Sequence, residues 1–213
     1  IMALGYYELT VPPVCDGQTV TTFLRKHFGL SARSMTLLKK EGMGITRDHE
    51  LLLYAKDIVH EGDIITLCLP EDQNDIEPVQ GELDILFEDD HLLIVNKPSF
   101  MPVHPTKIHQ LDTLANIVSY YQQSRGERYT FRALNRLDKD TSGIVIIAKD
   151  RITYSLVQPT VRKTYIAVCV GEITEDGVIV QPIALESGSK IKRCVREDRS
   201  RSEERRVGKE CRS

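Results

Sequence analysis

Nine consecutive residues, Asn135-Arg136-Leu137-Asp138-Lys139-Asp140-Thr141-Ser142-Gly143, form a polar stretch directly ahead of the apolar run Ile144-Val145-Ile146-Ile147-Ala148. Asp, Thr, Ser and Gly are turn formers, and Gly143 can take a positive φ. The carboxylate of Asp138 is the group here that could do chemistry. An aspartate is ionised at neutral pH and can act as a nucleophile or proton acceptor without a metal. Arg136 lies two residues earlier and could hold a phosphate, or could form a surface ion pair with Asp140. Read alone, the loop suits a turn or cap role for Asp138 better than a catalytic one.

Such a loop needs a scaffold. Residues 144–148 are dominated by β-branched side chains, which predicts a buried central strand. Residues 83–87 and 92–95 read as two strands about the polar turn Glu88-Asp89-Asp90, with Asn96-Lys97-Pro98 stopping the second. Residues 111–121 put Leu111, Leu114, Ile117, Val118 and Tyr121 on one helical face. Beyond the loop, 163–170 alternates as a strand does, and 178–180 is expected to continue the sheet. Strands and helices in this order predict an α+β fold over 82–200.

A smaller domain is expected over 6–70. Residues 6–11 read as a strand ended by Pro12-Pro13. Val20, Phe23, Leu24 and Phe28 have helical spacing, with Gly29 as the cap that ends the helix. A second helix runs from an N-cap at Ser31 to Lys40, with Met35 and Leu38 facing inward, and Gly42 and Gly44 break it. A turn and short strand over 45–53 and a closing strand over 64–69 complete the module. The chain carries a formal net charge of −3, unevenly spread. Six basic residues and one acid lie between Arg25 and Arg47, whereas 71–90 holds nine acids and no lysine or arginine. Residues 71–81 therefore read as an acidic linker. Arg33, Lys39 and Lys40 on the second helix offer cations to phosphates, although a solvated basic face without a partner fits the charge pattern too.

The string from Arg136 to Gly143 matches an Arg-Leu-Asp-x-x-Thr-Ser-Gly signature and resembles the RluA/RluD-type pseudouridine synthases. Residues 144–149 continue it as that family does. Upstream, Leu83-Asp84-Ile85-Leu86-Phe87-Glu88-Asp89, residues 92–98 and Val103-His104-Pro105 are similar to its entry strands. Downstream, Lys163-Thr164-Tyr165 and Gln181-Pro182-Ile183 are similar to later motifs, so the resemblance covers about residues 6–200. It implies an enzyme in which Asp138 attacks a uridine flipped out of ribosomal or transfer RNA. Arg136 would lie on the RNA side, and Tyr165 would stack on the displaced uracil; otherwise Tyr165 is a sheet-core residue. The first domain, with Glu61-Gly62-Asp63-Ile64-Ile65 at its closing turn, resembles the RNA-binding domain of small-subunit ribosomal protein four.

Three departures stand out. Asn135 replaces a histidine common in the family, and the segment between Lys149 and Lys163 is short. The family's later Gly-Arg-x-His-Gln-x-Arg segment, whose arginine pairs with the catalytic carboxylate, is not reached. The catalytic domain is therefore expected to be partial and this form inactive, the alternative being a non-catalytic RNA-binding module. Residues 201–213 resemble the translation of a sequencing-adapter oligonucleotide and are expected to be an artefactual tail. Six histidines and five scattered cysteines fit no ligand spacing, so neither a metal nor a cofactor is expected. No apolar run approaches the roughly 20 residues of a membrane span. The expected setting is a cytoplasmic monomer whose partner is structured RNA.

Overall fold

The computed structural model describes residues 6–40, 44–48, 50–51, 56–68, 75–168, 170–171, 177–186, 188, 192–195 and 205–211. Expectations falling on Gly42, 52–53, 69–74, Cys169 and 196–204 lie outside these residues. Two compact units divide the chain, Ile1–Arg162 and Lys163–Ser213.

The first unit opens with β1 (Tyr6–Thr10) and the short helix α1 (Val20–Thr22), which continues as a π-helical turn over Phe23–His27. Thr19 caps α1 by accepting the Thr22 N–H at 3.1 Å, and Gly29, at φ +86°, ends the turn. Ser31 caps α2 (Ala32–Lys40) by accepting the Ser34 N–H at 3.1 Å, burying Met35 and Leu38 while Arg33, Lys39 and Lys40 stay exposed. Gly44 lies so close to α2 that a Cβ on it would run into the Leu38 carbonyl, which only glycine tolerates. Strands β2 (Ile45–Arg47), β3 (Glu50–Leu51) and β4 (Ile64–Cys68) follow, in an antiparallel sheet of order β1-β4-β2-β3. Phe23, Leu24, Leu38, Ile65 and Leu67 fill the core between this sheet and the helices.

A second antiparallel sheet, in the order β5-β6-β8-β7, is built from β5 (Ile85–Glu88), β6 (Leu92–Lys97), β7 (Arg132–Ala133) and β8 (Gly143–Ala148). Helix α3 (Leu114–Ser124) packs Leu114 and Val118 on Leu93, Val95, Val145 and Ile147. The helix starts three residues later than its apolar spacing suggests, and Leu111 is 49 % exposed. Thr113 and Asn116 form a capping box there, and the cap sets the boundary. Strand β6 likewise runs through Asn96 and Lys97 before Pro98, which lacks an N–H, ends it. Strand β8 buries Val145, Ile147 and Ala148 but leaves Ile144 55 % exposed, so its Asp138 end emerges from the core.

The first core also takes in Ile152 of α4 (Arg151–Val157), which follows β8. Tyr7 on β1 donates to the α4 cap Asp150 at 2.6 Å and stacks on His91. The described part of the acidic stretch 71–81 is strapped to α3. Val79 donates to the Asn116 carbonyl at 3.1 Å, Asn116 to the Glu77 carbonyl at 2.8 Å, and Ser119 to the Ile76 carbonyl at 2.9 Å. Composition reads that stretch as a connector, but its carbonyls have found donors.

The second unit differs most from expectation. Residues 163–168 form no strand, and Ile166 and Val168 are fully exposed; alternation yields a strand only beside a ladder partner, and none pairs there among the described residues. Strand β9 (Gly177–Leu185) pairs with β10 (Arg193–Val195) and β11 (Arg205–Cys211) in an antiparallel sheet of its own instead of extending the β8 sheet. The tail 201–213 has no apolar pattern, yet β11 pairs Arg205 with Ile183 through to Cys211 with Gly177; backbone ladders form without a side-chain pattern. Among the described residues no helix is long and apolar enough to cross a membrane.

Buried Lys149, at the end of β8, pairs with Glu88 at 2.8 Å and Glu127 at 3.3 Å, and Tyr121 donates to Glu88 at 2.6 Å. Burial pushes the Glu88 carboxyl up, but the Lys149 and Tyr121 bonds outweigh it and hold the group below its ordinary value of 4.5. A depressed carboxylate stabilises the fold above its unfolded pKa, and that contribution is lost as pH falls through the folded one. In urea unfolding between pH 7 and 3, Glu88→Gln is therefore expected to be less stable at pH 7 and to lose less stability than the parent below about pH 4.5.

Candidate active-site loop

Antiparallel pairing sets Lys97, the last residue of β6, opposite Gly143, the first of β8. The segment leaving β6 and the loop entering β8 therefore run side by side. The Lys97 side chain is fully buried at that junction. Its Nζ donates to the carbonyls of Pro98 at 2.8 Å, Met101 at 2.7 Å and Lys139 at 3.3 Å. An ammonium has three N–H donors, and three carbonyls receive them. Burial lowers the Lys97 pKa from the usual lysine value, while the carboxylates of Asp140 and Asp138 pull it partly back. Ser99 adds a second tie across the junction, donating to the Asp140 carbonyl at 3.2 Å.

On this anchored base the Thr141 N–H returns to the Asp138 carbonyl at 3.1 Å, closing a turn, and Gly143 adopts φ +129°, a backbone geometry that a side chain would strain. Leu137 packs inward against the second core while Asp138 and Arg136 project as exposed residues. Among the described residues no cation stands within salt-bridge distance of the Asp138 carboxylate. The result is an accessible carboxylate on a fixed turn, able to meet a bulky substrate as a nucleophile or base.

Asn135 acts as a structural piece and is 8 % exposed. Its Nδ2 donates to the Ile144 carbonyl at 2.8 Å, and its Oδ1 accepts the Ile146 N–H at 2.9 Å. Strand β7 is two residues long, so this amide takes the ladder positions that a longer strand would have filled. His104 lies edge-on to Phe131, and burial together with the nearby Arg136 lowers its pKa from the usual histidine value. Phe100, in the segment looped around Lys97, has φ +67° and is 76 % exposed. A bulky residue at positive φ is an outlier, and the ties at Lys97 and Ser99 bracket it.

The loop thus brings Arg136 and Asp138 together. Arg33 lines a cleft between α2 and α4, whereas Lys39 and Lys40 sit exposed at the other end of α2. Tyr165 belongs to the second unit, 58 % exposed, in a stretch without regular structure. Sequence reasoning missed Lys97 and Asn135. A lysine closing an otherwise apolar strand, in Asn-Lys-Pro, was the available signal for the first.

An α+β fold presenting an exposed carboxylate on a strand-entry turn is a class that comparison with known proteins narrows. The profile of the RNA pseudouridylate synthase family matches residues 91–212, more than half of the chain. The chain belongs to that family. It is 38% identical over 155 residues to the uncharacterised RNA pseudouridine synthase YhcT of Bacillus subtilis, covering 70% of this chain and 51% of that protein. It is 34% identical over 182 residues to the uncharacterised RNA pseudouridine synthase YjbO of the same organism, covering 80% and 62%. Against the ribosomal large subunit pseudouridine synthase D of Pseudomonas aeruginosa it is 34% identical over 138 residues, covering 62% and 43%. The chain spans about half the length of the curated relatives it matches.

Lys97→Met would leave three carbonyls without their donor, and a loss of about 1–3 kcal/mol in urea unfolding is expected. Asn135→Leu, which removes both bonds to β8, should cost a similar amount, and amide exchange at Ile146 should accelerate more than at Ile147; equal acceleration at both would refute the ladder role.

Proposed function

We propose that these residues come from an enzyme that isomerises uridine to pseudouridine in structured RNA, with Asp138 as the nucleophile. The observation that carries this reading is the exposed Asp138 carboxylate on a turn anchored by Lys97. In the isomerisation the bond from C1′ to N1 breaks, a bond from C1′ to C5 forms, C5 gives up its proton and N1 takes one. The change is redox-neutral and calls for neither metal nor cofactor. The uridine must leave its stack before any side chain reaches the glycosidic bond, at a cost of a few kcal/mol. Arg136 is suited to hold a phosphate or fill the vacated space, and Tyr165 to stack on the displaced base. The module over 6–70 contributes RNA affinity through Arg33, Lys39 and Lys40. Ribosomal RNA is the favoured substrate, since the Pseudomonas relative is named for the large ribosomal subunit, and transfer RNA is the next candidate. A monomer in the cytoplasm fits that role.

The family's segment whose arginine pairs with the catalytic carboxylate has no match within these 213 residues, so this chain alone is expected to be inactive or nearly so. The test uses the longest open reading frame containing these residues, with and without Asp138→Ala, on total RNA from cells lacking the gene. Mass-spectrometric mapping should show new pseudouridine only with the parent, the variant being reduced at least about a hundredfold. Equal product from both proteins would remove Asp138 from the chemistry. Equal product from the 213-residue chain and the longer protein would overturn the expected inactivity.

A further inference from the structure

Among the described residues two that are not glycine have a positive φ, Asp48 at +47° and Phe100 at +67°. Short polar side chains such as aspartate enter that region readily, whereas a bulky side chain there is strained. Burial does not offset the strain, because Phe100 is the most exposed aromatic among the described residues. The inward positions of its segment belong to Met101 and Val103, which pack in the second core. Strain of this kind persists where neighbouring bonds over-determine the backbone. Ser99 Oγ donates to the Asp140 carbonyl at 3.2 Å on one side of Phe100, and Lys97 Nζ to the Met101 carbonyl at 2.7 Å on the other. Lys97 Nζ also holds the Lys139 carbonyl at 3.3 Å, so both ties lead to the turn that carries Asp138. A phenyl ring is thus kept in water on a backbone fixed to that turn. It has neither charge, donor nor acceptor, so what it complements on an RNA is the π-face of a base. Faces inside a stack are covered. Extrusion of the target uridine bares one, on the nucleotide beside it.

We infer that Phe100 is a specificity-determining residue, which stacks on the base beside the extruded uridine and makes that neighbour's identity matter. A purine is favoured there, since preferences of this origin follow stacking strength and purines offer the larger face. The inference rests on the RNA reading above and adds a sequence preference to it, carried by a residue with no part in bond making. The strained backbone then has a use, because it holds an apolar ring clear of the core at a set distance along the chain from Asp138.

Fluorescence anisotropy of the 213-residue chain at low salt tests it, with labelled RNA stem-loops whose loop holds one uridine flanked by adenosines, by cytidines or by abasic sites. The parent should hold the adenosine-flanked loop about tenfold more tightly than the abasic one, with the cytidine-flanked loop between them. Phe100→Gly relieves the strain and removes the ring, so its urea midpoint should stay or rise while the preference for adenosine falls below about twofold. A residue serving the fold alone would do the reverse, with a lower midpoint and an unchanged preference. The chain contains no tryptophan, so Phe100→Trp places a single indole at the position. That variant should keep the preference, and its emission should be quenched by the adenosine-flanked loop but not by the abasic one. An unchanged preference in Phe100→Gly, or unquenched emission on binding in Phe100→Trp, would overturn the stacking role and leave the RNA reading intact. So would a parent that binds the three loops equally. A parent that binds none of them would sink the RNA reading and the inference with it.

Discussion

A buried ammonium at the end of β6 is the constraint from which the geometry of the Asp138 loop follows. Taking a lysine charge out of water is among the more expensive acts in folding, and it persists only where donors and acceptors match. Lys97 meets that condition with two carbonyls from its own loop and one from Lys139, 42 residues on. Neither segment could supply the set alone. The loop bearing Asp138 is therefore held in place by polar satisfaction, while the apolar core stops at Leu137. A carboxylate proposed to meet a large polyanion has to stand clear of the core, and an anchor of backbone carbonyls permits that without tying up the carboxylate.

The same division between packing and polar ties governs the first unit as a whole. Each of its two sheets has its own apolar core, and they meet where α4 gives Ile152 to the first core and its cap Asp150 receives Tyr7. Asp150 also accepts the N–H groups of Ile152 and Thr153, so one carboxylate starts a helix and docks a strand. Burial of the Tyr7 phenol, together with the charge of the nearby Asp150, pushes its pKa well above the usual tyrosine value, which keeps Tyr7 a donor at all physiological pH.

The features legible in the sequence were those set by near neighbours. Ser31 and Thr19 announce helix starts because a side-chain oxygen caps within three residues, and the alternation of 64–68 and the run 144–148 are read from the chain itself. The Asp138 loop was legible for a different reason, since its residue string resembles a known family. Features depending on distant partners were not legible. Lys97 reads as a strand stop until Lys139 is brought beside it. Asn135 reads as a substituted histidine until the shortness of β7 leaves β8 in need of a donor and an acceptor. Residues 163–168 alternate like a strand but have no ladder partner among the described residues, and β11 has a ladder without any alternation.

The amide of Asn135 also bears on how the protein behaves in company. A strand flank with open N–H and C=O groups invites a strand from another molecule to add to it, the first step in edge-to-edge aggregation. Along the outer flank of β8 those groups are engaged by β7, by the Leu134 N–H and then by Asn135. The region around Asp138 can stay uncovered for a large incoming molecule without offering a template for self-association.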